Sequence, residues 1–142
     1  MKRNKRFWLV LVLLLIGVGV VYIAVSSNET TLAPPLPTVK IGSVTADVEQ
    51  STYCWEDNGS ARCEDHGLPT EEDLQLIQVD AGDAIDVTFH ETPRNFSFNQ
   101  VVDGELVATE QVVPDEPGVY LYETGGEWEK GDSRYVFGIR VR

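Results

Sequence analysis

The sequence is poor in the residues from which most catalytic and metal sites are made. It holds two cysteines and two histidines. Two cysteines alone cannot supply a four-ligand zinc site. Cys54 and Cys63 also lack the CxxC spacing of a catalytic dithiol. Asp65 and His66 are adjacent, but no serine sits in a nucleophile elbow, so no catalytic residues are assigned and the chain is not read as an enzyme. Carboxylates are plentiful yet nowhere follow EF-hand spacing. Asp80, Asp83 and Asp86 are the nearest approach to a calcium site. They are expected to attract adventitious calcium and not a resident ion, and no cofactor is expected.

Charge is missing in a second, more telling way. No acidic residue precedes Glu29, and no Lys or Arg lies between Arg6 and Lys40. Residues 7–25, FWLVLVLLLIGVGVVYIAV, carry no charge at all. At helical rise such a run spans roughly 28 Å, close to the ~30 Å hydrocarbon core of a bilayer. Trp8 and Tyr22 stand near its ends, where amphipathic rings suit the lipid interface. Lys2, Arg3, Lys5 and Arg6 all precede it, so the positive-inside rule predicts a cytoplasmic tail over 1–6 and a single-pass anchor over 7–25. The rest of the chain is then extracellular at the cell membrane. A cleaved signal is the rival, with Ala24-Val25-Ser26 before the cut, but the apolar run exceeds the usual h-region. Gly17 and Gly19 do not make a GxxxG dimerisation face.

After the tail, seven basic residues face 23 acidic ones, a formal net charge of −16. Such a surface repels nucleic acid, which is excluded as a partner, and favours basic partners or plain solubility. Residues 26–38, SSNETTLAPPLPT, turn proline-rich. Extended as polyproline II they would reach roughly 40 Å, which predicts a stalk.

From residue 39 to 142 the dominant period is two. Val44, Ala46 and Val48 alternate with polar residues, as do Ile85, Val87 and Phe89, and the final run Tyr135, Phe137, Ile139, Val141 alternates too. This is the pattern of half-buried antiparallel strands. Asp103-Gly104 between two such runs predicts a type I′ hairpin. Asp80-Ala81-Gly82-Asp83 marks another turn, and Thr70 with Asp73 approximates a capping box for one helical turn. The polar stretch from Thr124 to Ser133 reads as a loop holding Trp128. Seven or eight short strands predict an all-β, Ig-like antiparallel β-sandwich, with a small barrel as the alternative.

One compact unit stands out: Tyr53-Cys54-Trp55, the turn dipeptide Asn58-Gly59, then Cys63-Glu64-Asp65. In an oxidising compartment Cys54 and Cys63 are expected to form a disulfide, too close in sequence to bridge two sheets. Closing a loop this short contributes about 2.7 kcal/mol in the chain-entropy model. Trp55, Glu56, Asp57, Glu64 and Asp65, with Trp128, are the candidate binding rim. The alternative reading packs both tryptophans over the core.

The Tyr53-Cys54-Trp55 … Cys63-x-Asp65 pattern, with Pro69 and Leu74 after it, resembles small membrane-anchored envelope proteins of Gram-positive bacteria, the bacilli and their relatives. The resemblance implies a bacterial extracytoplasmic setting and brings no activity with it. The expected function is a non-catalytic binding module of the cell envelope, anchored in the membrane and facing a protein or envelope component. The alternative is an envelope enzyme or an inhibitor of one.

Overall fold

In the computed structural model, residues 32–142 are described. The tail, the anchor and the first part of the stalk lie outside them. Among the described residues no helix is long and apolar enough to cross a membrane.

The described residues run through ten strands: β1 (Thr38–Ile41), β2 (Val44–Thr45), β3 (Glu49–Asp57), β4 (Ser60–Glu64), β5 (Leu76–Val79), β6 (Ile85–Thr88), β7 (Asn95–Val102), β8 (Glu105–Ala108), β9 (Gly118–Trp128) and β10 (Gly131–Val141). A single 3₁₀ turn, Glu71–Asp73, separates β4 from β5. Its capping box forms as the sequence predicts: the Thr70 N–H and hydroxyl both donate to Asp73 at 2.7 Å. The backbone bond, then the hydroxyl, holds the Asp73 carboxyl below its ordinary range.

Two sheets result. The small one has the order β2-β1-β6, and the large one β4-β3-β10-β9-β7-β8. Their facing residues share one core: Val39, Ile41 and Ile85 from the small sheet meet Phe98, Tyr122, Tyr135, Phe137 and Ile139 from the large. The fold is therefore all-β with antiparallel sheets in a sandwich-like arrangement. One pairing departs from the antiparallel rule. β3 covers β10 only from Gly131 to Val136, and β5 then takes over the same edge in parallel from Gly138 to Val141.

The turns follow local chemistry. Asn58 and Gly59 have φ of 51° and 78°, Asp103 and Gly104 φ of 52° and 78°. Those are the positive angles of two-residue type I′ hairpins, and they join β3 to β4 and β7 to β8.

Three expectations are corrected. Ala46 and Val48 are buried as predicted, but they lie outside a strand, and Val44 is exposed. Pro34 and Pro37 are buried, and the Tyr135 hydroxyl donates to the Pro35 carbonyl at 2.9 Å. The proline-rich stretch therefore packs on the domain at its end, and does not stand free of it. The stretch from Thr124 to Ser133 is no loop. It forms the end of β9, a tight turn at Glu129-Lys130 and the start of β10. Small residues hid this: Gly125, Gly126 and Ser133 break the apolar alternation, yet Thr124 and Ser133 are fully buried. Val136 and Gly138 are also buried, because the second face of β10 is covered too. A Cβ on Gly138 would lie 2.4 Å from Leu76 Cδ2 and 3.2 Å from Leu121 Cδ2.

The centre of the core is an aromatic stack. Tyr122 lies between Phe98 and Phe137, with ring centroids 5.3 Å away on each side. Burial pushes the Tyr122 hydroxyl up to about 12. Phe137 is fully buried, so Phe137→Ala should cost about 3–5 kcal/mol in chemical denaturation. Val107→Ala, on the exposed strand β8, should change stability by less than about 0.5 kcal/mol.

Glu123 gives a pH test. It is only 7% exposed. Burial raises its carboxyl above the ordinary value, partly offset by Arg134. A group raised in the fold keeps its full stability contribution below its unfolded value and loses it as pH rises through the folded one. Glu123→Gln should therefore unfold at higher denaturant than the parent at pH 7. The gap should close as pH falls below the ordinary value of 4.5.

Candidate functional site

The disulfide forms as expected, and it lies within one sheet. Cys54 and Cys63 are direct cross-strand partners of β3 and β4, with Cα atoms 4.1 Å apart. Period two then sorts the hairpin. Tyr53 and Trp55 point inward and are buried, while Cys54 and Glu56 point outward. The candidate rim is thus divided. Glu56 is exposed on the outer face. Asp57 is paired with Lys130 at 3.1 Å. Glu64 binds Arg62 and lies 3.3 Å from His66 Nε2. The Arg62 contact first, then His66, lowers the Glu64 carboxyl. Asp65 accepts from the Thr52 hydroxyl at 3.2 Å. Asp57, Glu64 and Asp65 are spent on local contacts, Glu56 lies on the outer face, and the four do not converge.

The tryptophans do converge, but inward. Trp55 is 8% exposed and meets Trp128 edge-on at 5.8 Å. Trp128 ends strand β9 and does not hang in a loop. Its indole N–H donates to the Glu91 carbonyl at 2.8 Å. Phe89 packs against Trp128 at 5.2 Å, Phe96 at 6.0 Å and Tyr135 at 6.1 Å. Burial raises the Tyr135 hydroxyl, with Ser133 opposing. Among the described residues no group of three or more His, Cys, Asp or Glu gathers to hold a metal. Asp80 and Asp83 lie in the turn before β6, and Asp86 lies on β6 opposite Lys40.

Phe89 and Phe96 of this cluster line an open groove of about 380 Å³. Val87, Thr88 and Phe89 form one wall, Thr92, Pro93 and Phe96 the other, and Gln111 closes one end. Phe96 is 47% exposed, a large apolar ring left facing solvent. Gly126 holds the second wall in place. A Cβ there would lie 2.5 Å from Pro93 Cβ and 2.6 Å from the Asn95 carbonyl, so only glycine lets this loop lie flat on β9. The Arg94 N–H, donating to the Glu127 carbonyl at 2.7 Å, fixes the same loop from the other side.

The first wall is a sheet edge. Ala84 bridges Val112, and the Ile85 N–H donates to the Gln111 carbonyl at 2.9 Å. The Gln111 side chain then donates back to the Ile85 carbonyl at 2.9 Å and ends the ladder. In that register Thr109 would face Val87. Instead the Thr109 N–H turns to the Phe98 carbonyl in the large sheet, at 3.4 Å. Peptide groups alternate along a strand. Those of Val87 therefore point the same way as those of Ile85, into the groove, and among the described residues no backbone partner meets them there.

Sequence reading missed Phe89, Pro93, Phe96 and Gln111. Asn95-Phe96-Ser97-Phe98 was the available signal. Phe96 and Phe98 lie on one face by period two, and a single sandwich core buries just one end of that face: Phe98 is buried and Phe96 is not.

Trp128→Phe removes the bond to Glu91 while keeping the ring contacts. It should cost about 1 kcal/mol and speed amide exchange at Arg94. Unchanged stability and exchange would show that the indole bond does not hold the groove wall.

The chain matches no protein-family model, no curated protein and no solved structure, so the reading of the groove rests on its own geometry.

Proposed function

We propose that this chain is a non-catalytic binding module, anchored in the membrane by residues 7–25 and displayed outside the cytoplasm as an immunoglobulin-like sandwich. One observation carries the binding role. The groove between β6 and the segment Thr92–Phe96 combines an exposed apolar ring, the Phe89 ring beside it and, among the described residues, unpaired peptide groups at Val87. Apolar walls with a few oriented polar groups are the usual make-up of a recognition site, and loops on a rigid β scaffold are its usual location. The uncharged 7–25 run behind four basic residues supports the anchor and its orientation. The Cys54–Cys63 bond supports an oxidising exterior.

A second reading has its own observation. The clipped β3–β4 hairpin presents an exposed tip at Asn58-Gly59, a rigid shape suited to an inhibitor of an envelope enzyme.

A photo-reactive residue at Thr92 in the full-length chain, on intact cells, should form a cross-linked adduct. Phe96→Ala should weaken that capture by about tenfold, the effect of removing a central aromatic anchor. An adduct indifferent to Phe96→Ala, or one formed only from a probe at Asn58, would move the contact away from the groove. A carboxyl-terminal tag shielded from external protease on intact cells would overturn the location.

A further inference from the structure

We infer that the groove takes an extended, basic segment of a partner protein as an added β-strand, antiparallel to β6 and opposite Val87. This rests on the groove being the binding site, and adds the mode of binding and the chemistry of the occupant.

The edge comes first. The ladder on β6 stops at Ile85 because the chain leaves at Gln111 to join the large sheet. The next position on that edge is Val87, whose N–H and C=O are set for a reciprocal pair with one peptide residue. An incoming strand would occupy the place that Thr109 leaves, continuing the register of Ala84 with Val112. Main-chain pairing to a sheet edge supplies affinity, and alternate side-chain pockets supply selectivity.

The side chains follow from the pleat. Residues directly opposite one another project on the same face. Val87 packs toward the core beside Phe89. The residue opposite it would therefore insert into the groove, against Phe89 and Phe96. Its two neighbours would project outward, on the side of the exposed Asp86 and Thr88. Glu91 and Glu110, both exposed, flank the lining residues in sequence, as does the exposed Arg94, and Lys40 stands opposite Asp86, so the excess of acid rests on the surface as a whole. The described chain holds 22 acidic residues against seven basic ones. A strand with an apolar residue between two cationic ones complements all of these features. A second copy of the same acidic chain would meet like charge.

The probe is the heptapeptide Lys-Ile-Lys-Ile-Lys-Ile-Lys, titrated into the ¹⁵N-labelled full-length chain in zwitterionic micelles. The Val87 and Phe96 amides should shift. N-methylation of the three isoleucine amides should weaken binding about tenfold or more, since those amides face β6. N-methylation of three lysine amides instead should leave it nearly unchanged. Exchange of every lysine for glutamate should abolish it. Equal weakening by both methylation patterns, or by neither, overturns strand addition while leaving the groove as a binding site. Equal binding of the glutamate peptide overturns the basic occupant. Shifts confined to β8, or no binding of the parent peptide, overturn the inference as a whole. In those cases the Thr92 cross-link still decides separately whether the groove binds anything.

Discussion

The eleven-residue pairing of β9 with β10 is the constraint on which the rest of the domain hangs. Every other strand of the large sheet reaches its place through these two. β7 docks on β9 and carries β8; β3 and β5 divide the free edge of β10 between them. The pairing brings Tyr122 level with Phe137, and β7 adds Phe98 to that stack. A hairpin this long needs small residues where other chains cross it. Ser133 lets the Gln50 amide donate across to its hydroxyl at 2.8 Å and to the Arg134 carbonyl at 2.9 Å. That contact sits where the β3 register shifts, between Ser133 and Tyr135. The Gln50 amide N–H groups thereby satisfy part of the local irregularity, while its buried Oε1 has no partner among the described residues.

The groove is a by-product of the same geometry. A sandwich closes its core by letting the chain pass from one sheet to the other. Between β8 and β9 it does so through Gln111, Val112 and Val113, which lie along Asp83, Ala84 and Ile85 at the start of β6. The crossing covers this edge as far as Ile85 and leaves it uncovered at Val87. The loop from Phe89 to Arg94 then folds over β9 and raises a second wall, held by the Trp128 indole and the Arg94 N–H. Polar edge and apolar wall thus arise from different parts of the chain, and the β9–β10 hairpin sets the distance between them.

Much of the fold was legible in the residues, because period two and turn dipeptides are local signals. Asn58-Gly59, Asp103-Gly104 and the Thr70–Asp73 box each do what their chemistry requires. The β9–β10 turn was hidden for a physical reason. Thr124, Gly125, Gly126 and Ser133 are selected for closeness to neighbouring chains, and that leaves no hydrophobic mark. The cysteine unit was read correctly as a clip. As a rim it scattered, because a strand sends Trp55 and Glu56 to opposite faces whatever their adjacency in sequence. The groove was illegible for the converse reason. Val87, Phe96 and Gln111 are distant in sequence, and only the crossing of the chain between sheets unites them.

Sheet edges are where a small β domain meets other chains, and those of β2, β4, β6 and β8 are treated differently. β2 is two residues long, too short to template a partner. β4 carries Arg62 and Glu64, and its disulfide ties it to β3. β8 is open, but all four of its residues are exposed, so a strand added there would find no wall on either face. Of these four, β6 couples an unpaired peptide to an open groove with apolar walls. Main-chain hydrogen bonds exchanged with water contribute little net affinity in the open, and more where apolar walls keep water away. That difference in surroundings, and not any difference in the edges themselves, is what singles out Val87.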